Sequence, residues 1–499
     1  MANERWDAAT ARGIREVLAV EGNLTLLTPV HLGNGDGDDQ IDLPLLRDPL
    51  EGRPLLPGAT LAGALRGYLQ ARQLGDRSAA ARGSTGEIAW AACLFGGARE
   101  DDAGESSPVV VDDALANLPG IERRDGVKLD PRTRTAEDKK KFDLELWPSG
   151  ITFPLRFELF LADGGAVGRL QRQALATALA GLDPAAGGIR LGARKHRGYG
   201  RVSVERWRVT RYDLTSPEGL IAWIAADDPA ATAEAPGSTV EGPDLAALLD
   251  VPYLPDRRRR FEINATFGLD GSLLIRSETG QVAGGPDFSH LHARQPTGRL
   301  EPVLSGTSLA GALRARAARI AATFAGPASP RVQATIDDIF GPDLGPGVSP
   351  AASRLTVDEQ VIVGGRSDLV QSRVAIDRFT GGVLPTALFS EQPVFGDREA
   401  TVTVSLHLEN PAEWETGLLL LVLKDLWTGD LPVGGEIGVG RGRLGGREAE
   451  LRLRRAENDQ AIWRISERDD RQLAVEGDRA VLERAVSALR QHLAEEAKA

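Results

Sequence analysis

The chain has one cysteine, Cys93, and one methionine, so it can build neither a disulfide framework nor a multi-cysteine metal site. No run of 18 apolar residues occurs, which excludes a membrane-spanning helix by length. Residues Met1–Val20 mix both charge signs and lack an apolar stretch, which argues against a secretory signal. Lysine is scarce: seven of 59 basic residues, the other 52 being arginine. Acid exceeds base, and a net charge of −12 argues against a chain that coats nucleic acid indiscriminately. No G-x-x-x-x-G-K-[ST] loop, G-x-S-x-G elbow or H-E-x-x-H helix is present. The reading is a soluble, cytoplasmic protein, with no membrane partner. Its 499 residues, 42% apolar, suffice for two or three cores at about 150 residues per domain.

What the chain does contain is itself, twice. Pro54-Leu-Leu-Pro-Gly-Ala-Thr-Leu-Ala-Gly-Ala-Leu-Arg66 returns as Pro302-Val-Leu-Ser-Gly-Thr-Ser-Leu-Ala-Gly-Ala-Leu-Arg314, nine of thirteen positions identical, 248 residues later. Leu94-Phe95-Gly96 returns as Ile339-Phe340-Gly341, and Val127–Asp130 as Val374–Asp377. Gly198-Tyr-Gly-Arg201 is echoed by Gly438-Val-Gly-Arg441, at an offset of 240. Four echoes in one order mean tandem duplication. The spacing predicts a first domain over 17–212, a linker over 213–260 with a short helical piece at Leu245–Leu249, and a second domain over 261–452. A helical tail is expected over 453–499.

Alternating apolar segments predict strands at Asn23–Leu27, Ile151–Leu161 and Val202–Val209, then Phe261–Phe267, Thr401–Leu408 and Glu448–Leu453. Helices are expected after Thr60 and Ser308, whose hydroxyls suit the first turn, and over Arg169–Leu182 and Glu413–Trp427. That order describes an α+β fold: two ferredoxin-like units, each a sheet with helices on one face.

The chemistry-bearing loops are rich in glycine and arginine. In Gly192–Arg201 the glycines permit close backbone approach, while Arg194, Lys195, Arg197 and Arg201 carry charge suited to RNA phosphates. Tyr199 offers a ring for base stacking. The bland alternative is a tight turn with solvated arginines. Its repetition as Val433–Arg443, with Arg441 and Arg443, favours RNA binding. The helix starts at Thr60 and Ser308 offer free amides to an anion, although ordinary capping explains each alone.

Ile41-Asp42-Leu-Pro, then Pro54-Leu-Leu-Pro-Gly-Ala-Thr-Leu-Ala-Gly, then a terminal glycine-arginine loop resembles the RAMP superfamily, and within it the Cas-seven-like backbone subunits of type III (III-D-like) CRISPR effector complexes. The resemblance spans both copies. It implies an RRM-related core that holds crRNA along its backbone, and a protruding β-hairpin thumb, here near Ile121–Gly150 and Arg354–Gly382. It implies as partners the crRNA, a complementary target RNA and other backbone, Cas-ten-like and Cas-five-like subunits. It also implies that an aspartate, here Asp42, cuts target RNA with a divalent ion, Mg or Mn, for which Asp42 is the candidate ligand.

A carboxylate suits such chemistry, because it binds a divalent ion or helps activate a ribose 2′-hydroxyl. His31, Asp36, Asp38 and Asp39 share its loop, which could also be a solvated acidic turn. In the second copy, matching backwards from Pro302 sets Ser289 opposite Asp42, with Asp287, His290 and His292 nearby. A dead or weak second site is therefore expected, with Asp287 or a histidine as alternatives. Three rival readings remain: a non-catalytic scaffold, a Cas-six-like guide-processing endoribonuclease using His31 or His196 as base, and an oligomeric protein whose glycine loops are only turns.

Overall fold

The computed structural model describes residues 13–35, 42–75, 89–97, 106–117, 120–130, 133, 135–162, 164–186, 188–226, 238–277, 285–343, 345, 347–397, 399–456, 459–467 and 473–494. Each copy is a ferredoxin-like domain. In the first, central strand Glu16–Leu26 lies between Thr152–Leu161 and Val202–Asp213, antiparallel to both. Val109–Val111 extends the sheet beyond Thr152–Leu161. In the second, Arg260–Asp270 lies between Thr401–Glu409 and Arg443–Ala456, and Leu355–Val357 pairs beyond Thr401–Glu409. The strand order is the same in both, which makes the repeat structural.

Each sheet buries one face under helices. Strand Thr152–Leu161 alternates buried and exposed side chains, as a half-covered strand must. Helix Gly58–Leu74 presents Leu61, Leu65, Tyr68 and Leu69 to that face, and Gly306–Ala325 presents Leu309, Leu313, Ala317 and Ala321, both at helical spacing. Two separate apolar cores result.

The segments around the domains depart from expectation. Within 213–260, helix Pro217–Ala225 packs Ala222 and Trp223 onto Val17, Ala19 and Tyr212, and Ser238–Gly242 adds an edge strand to the first sheet. The short helix Leu245–Leu249 forms there as the sequence predicts. Residues 459–467 and 473–476, expected to be helical, are strands that extend the second sheet. Their alternating polar and apolar residues fit an edge hairpin better than a helix. Only Arg479–Ala494 is helical, and it packs on Glu413–Trp427, where Gly417 leaves room for Ala485.

A β-hairpin leaves each domain. The first, Glu122–Leu129 with Ala136–Leu146, falls inside the expected span. The second is Gln371–Ile376 with Val383–Gln392, so its outgoing strand lies beyond the expected limit at Gly382. Its tip is apolar and open: Phe379 is 96% exposed. Among the described residues no helix is long and apolar enough to cross a membrane.

Candidate nucleic-acid interface and cutting site

Asp42 is exposed, at the root of the first hairpin. Its Oδ2 accepts the backbone N–H of Asp143, on the outgoing hairpin strand, at 3.0 Å. The next residue, Leu43, bridges Leu144 in parallel. Asp125 stands opposite Asp143 across the hairpin. Partial burial first, then hydrogen bonding and repulsion from Asp125, with a further push from Asp42, raises the Asp143 carboxyl above its ordinary value. Asp36, Asp38 and Asp39 lie outside the described residues.

The second domain repeats this geometry around Asp287. Asp287 is exposed, and its Oδ2 accepts the backbone N–H of Ser390 at 2.7 Å and the Ser390 hydroxyl at 3.0 Å. The next residue, Phe288, pairs in parallel with Glu391. The register continues: Gly33 bridges Leu45 as Arg276 pairs with His290, and Arg47 bridges Pro54 as His292 pairs with Pro302. Asp287 is therefore the counterpart of Asp42, and the matching of Ser289 is corrected. Ser289 is half-buried within a strand pair opposite Ser277. The turn between the paired segments is longer in the second domain, closed by Gln295 donating to the Arg299 carbonyl. That extra length hid the match.

The two glycine loops are superposable turns. Arg194 and Glu436 adopt left-handed backbone, single 3₁₀ turns follow at Lys195–Arg197 and Ile437–Val439, and Gly198 and Gly440 end them at φ of 95° and 90°. A Cβ on Gly200 would meet the Leu191 carbonyl oxygen at 2.0 Å, and one on Gly442 the Val433 oxygen at 1.9 Å. The loops thus align at an offset of 242 rather than 240, so Tyr199 matches Arg441 and Arg201 matches Arg443.

Several expected RNA contacts are occupied within the chain. Tyr199 is buried under the Arg124 guanidinium, 5.3 Å from its ring, and is closed to a base. Arg441 is buried: Nε donates to Glu436 at 3.1 Å, and Nη2 to Glu391 at 3.0 Å and Gln371 at 2.9 Å. Arg194 lies over Phe142 at 4.3 Å. Arg197 reaches the Phe340 carbonyl of the second domain at 3.4 Å, and burial first, then Arg314 and Arg194, lowers its pKa. Arg443 is exposed at a strand start. Thr60 is exposed inside the first turn rather than capping it. Gly58 N–H is instead taken by Asp113 Oδ1 at 2.7 Å. Ser308 does not cap either; Ser305 accepts its N–H at 3.2 Å.

The histidines are similarly committed. His31 is 5% exposed, with Nδ1 at 2.8 Å from the Glu145 carbonyl, and His196 Nδ1 is 2.8 Å from Thr356 Oγ1. His290 is buried between the Val303 and Leu273 carbonyls, and burial drives its pKa down to about 4. None is placed as an open general base.

Between the domains lies a cleft of about 900 Å³, unsuspected from sequence. The first domain contributes Arg72, Arg190, Lys195 and Arg201; the open face of the second sheet contributes Arg260 and Arg452 among others. Eight arginines and lysines line it against four carboxylates, an excess that suits a phosphate backbone. Arg190 bridges to Asp358 across the domains at 2.6 Å. His407 lies 3.5 Å from Asp358 and 3.8 Å from Glu262. The only sequence signal for this cleft was the charged, outward-facing set on otherwise apolar strands.

The RAMP superfamily model matches residues 23–203 and again 269–445, most of both domains. The chain belongs to the RAMP superfamily. Its tandem RAMP domains are the two ferredoxin-like units, and each matched stretch runs from the central strand through the hairpin to the glycine loop. The chain is also similar to the CRISPR system Cms endoribonuclease Csm3 of Mycobacterium tuberculosis (strain ATCC 25618 / H37Rv), at 34% identity over 110 residues. That match covers 21% of this chain and 46% of the relative, so the chain spans about half the length of the curated relative.

Proposed function

We propose that this tandem RAMP protein is a crRNA-binding backbone subunit of a type III CRISPR ribonucleoprotein, and that it cuts guide-complementary RNA at Asp42. The observation that carries this reading is an exposed carboxylate pinned by the Asp143 N–H to the root of a projecting hairpin. The similarity to an endoribonuclease of a CRISPR system supports the same chemistry.

In this reading guide phosphates lie along the cationic cleft, near Lys195 and Arg201, and base pairing supplies sequence choice. The Asp42 carboxylate takes the proton of a target ribose 2′-hydroxyl. The 2′-oxygen then attacks the adjacent phosphorus in line, and the P–O5′ bond breaks. A 2′,3′-cyclic phosphate and a 5′-hydroxyl result, the latter protonated from solvent. Among the described residues no group of three or more His, Cys, Asp or Glu is arranged to hold a metal, and Asp42 Oδ2 is engaged by Asp143 N–H. The donor set does not by itself fit the expected Mg or Mn, so no step is routed through the ion. Its role is tested by titrating Mg²⁺ and Mn²⁺ into a chelated complex.

The direct test is the assembled complex with crRNA, offered complementary and scrambled labelled RNA. Guided cutting of the complementary strand alone supports the reading. Protein that carries no RNA and cuts neither strand contradicts it.

A further inference from the structure

We propose that Asp112 and Asp113 form a docking socket for two arginines of a RAMP-type domain on a different chain, and that this pair keeps a second copy of the chain out of that place. This rests on the reading of the chain as a backbone subunit. The seam between its own two domains supplies the template. There Asp358 takes Arg190 at 2.6 Å, and Glu359 takes the Arg124 guanidinium through both oxygens, Nη2 to Oε1 at 2.9 Å. Both acids follow the short strand Leu355–Val357, and both arginines come from the first domain. Val109–Val111 is the same strand in the first domain: Val109 pairs with Leu159 as Leu355 pairs with Leu408. The Asp112 N–H then donates to the Arg156 carbonyl at 3.2 Å, as the Asp358 N–H donates to that of Ser405 at 3.1 Å. Asp112 and Asp113 therefore stand where Asp358 and Glu359 stand. Both are exposed; Asp112 lies 3.9 Å from the Arg156 guanidinium, and Asp113 Oδ1 accepts the Gly58 N–H at 2.7 Å.

The second domain of another copy does not match this socket. Its hairpin pairs Gln371 with Glu391 as the first hairpin pairs Arg124 with Leu144, so Gln371 stands for Arg124. Before the glycine loop, the Val433 N–H donates to the Gly442 carbonyl as the Leu191 N–H donates to that of Gly200, so Pro432 stands for Arg190. A second copy would set an amide and a proline ring against two carboxylates and leave their charge uncompensated on burial. The sheet behind the socket differs as well. Val17, Ala19 and Tyr212 occupy the positions of Arg260, Glu262 and Arg454, and Ala222 and Trp223 of helix Pro217–Ala225 cover them. The charged cleft is not repeated at this end, so selection of the neighbour falls on the acid pair. The partner that fits carries one arginine at the root of a projecting hairpin and one before a glycine turn, where a planar fork can grip a carboxylate.

The experiment uses the complex purified with its guide RNA. Benzoylphenylalanine placed at Val110, an exposed residue of the strand before the socket, is photo-cross-linked and the joined peptide sequenced. Native mass spectrometry then follows which subunits stay with wild type, with Asp112→Asn plus Asp113→Asn, and with Asp112→Arg. Asp113→Asn keeps an acceptor for the Gly58 N–H, and melting temperatures confirm that each variant folds. The cross-linked peptide is expected to come from a different chain and to hold an arginine. The asparagine pair should weaken that subunit's hold about tenfold or more, Asp112→Arg should expel it, and glutamate in place of its cross-linked arginine should restore it. A cross-link to a second copy of this chain, or folded variants that keep the neighbour at full strength, would overturn the inference while bound guide leaves the backbone reading intact. A chain that holds neither guide nor neighbour would overturn both.

Discussion

Arg124, at the root of the first hairpin, and Glu359, in the second domain, form a buried two-pronged ion pair, with Arg124 Nη2 donating to Glu359 Oε1 at 2.9 Å and Nη1 to Oε2. Arg124 Nε also donates to Glu122 at 2.7 Å. The hairpin that carries Asp143 is thereby fixed against the next RAMP domain. The Asp42 carboxylate, held to the hairpin root by the Asp143 N–H, depends on that fixture for its position.

Removing one partner of a buried pair leaves the other charge stranded, at a cost of about 3–5 kcal/mol. Arg124→Ala should therefore lower the melting temperature markedly, and Glu359→Ala should do nearly the same. The triple replacement Glu122→Gln, Arg124→Met and Glu359→Leu, which leaves no charge of the group unpaired, should recover much of the loss. Calorimetry on the four proteins checks this, and an unchanged transition in Arg124→Ala would show that the contact does not hold the domains.

The arginines of the two glycine loops have different work. Lys195→Ala with Arg201→Ala removes two cations from the cleft. Guide affinity should fall and its log–log salt dependence flatten by about 0.7 per lost phosphate contact. Arg441→Ala removes one guanidinium partner from the buried Glu391 and the half-buried Glu436, which keep Arg373 and Arg276, so its effect should be on stability, by about 1.5–3 kcal/mol, rather than on the salt slope. A salt slope that moved only in Arg441→Ala would reverse this assignment.

The cleft should also respond to pH. Burial alone would lower the His407 pKa, but hydrogen bonds and charge from Asp358 and Glu262 outweigh it and raise it above 6.5. A raised histidine stabilises the fold fully below its unfolded pKa of about 6.5, and that contribution fades as pH rises through the folded value. Asp358 is held at about 2, with burial opposed by His407 and Arg190, so it stays ionised across this window. Melting temperature should therefore decline from pH 6 towards pH 9, and His407→Gln should flatten the decline. Equal slopes in the two proteins would rule out His407 as the titrating group.

The fold was largely legible because its signals are local. Leucines at helical spacing after Gly58 and Gly306, and alternation along Thr152–Leu161, report burial directly. The helix Glu413–Trp427 has the bounds that its sequence predicts. What failed was register. The letters Gly-x-Gly-Arg fit the second loop at two frames, and only the left-handed backbone at Arg194 and Glu436 selects between them. Asp287 was displaced by a longer surface turn, which costs a fold little and leaves no mark in composition. Burial of Tyr199 and Arg441 was illegible for a related reason, since their partners Arg124 and Glu391 are 75 and 50 residues away in sequence.

The central claim is that Asp42 cuts a guided target. It is tested by the single-turnover rate of the assembled complex on complementary RNA, wild type against Asp42→Ala, with guide affinity measured in parallel. The account expects the rate at one target position to fall about 100-fold or more while guide affinity stays within about twofold. Cutting by Asp42→Ala at every position at the wild-type rate would contradict it.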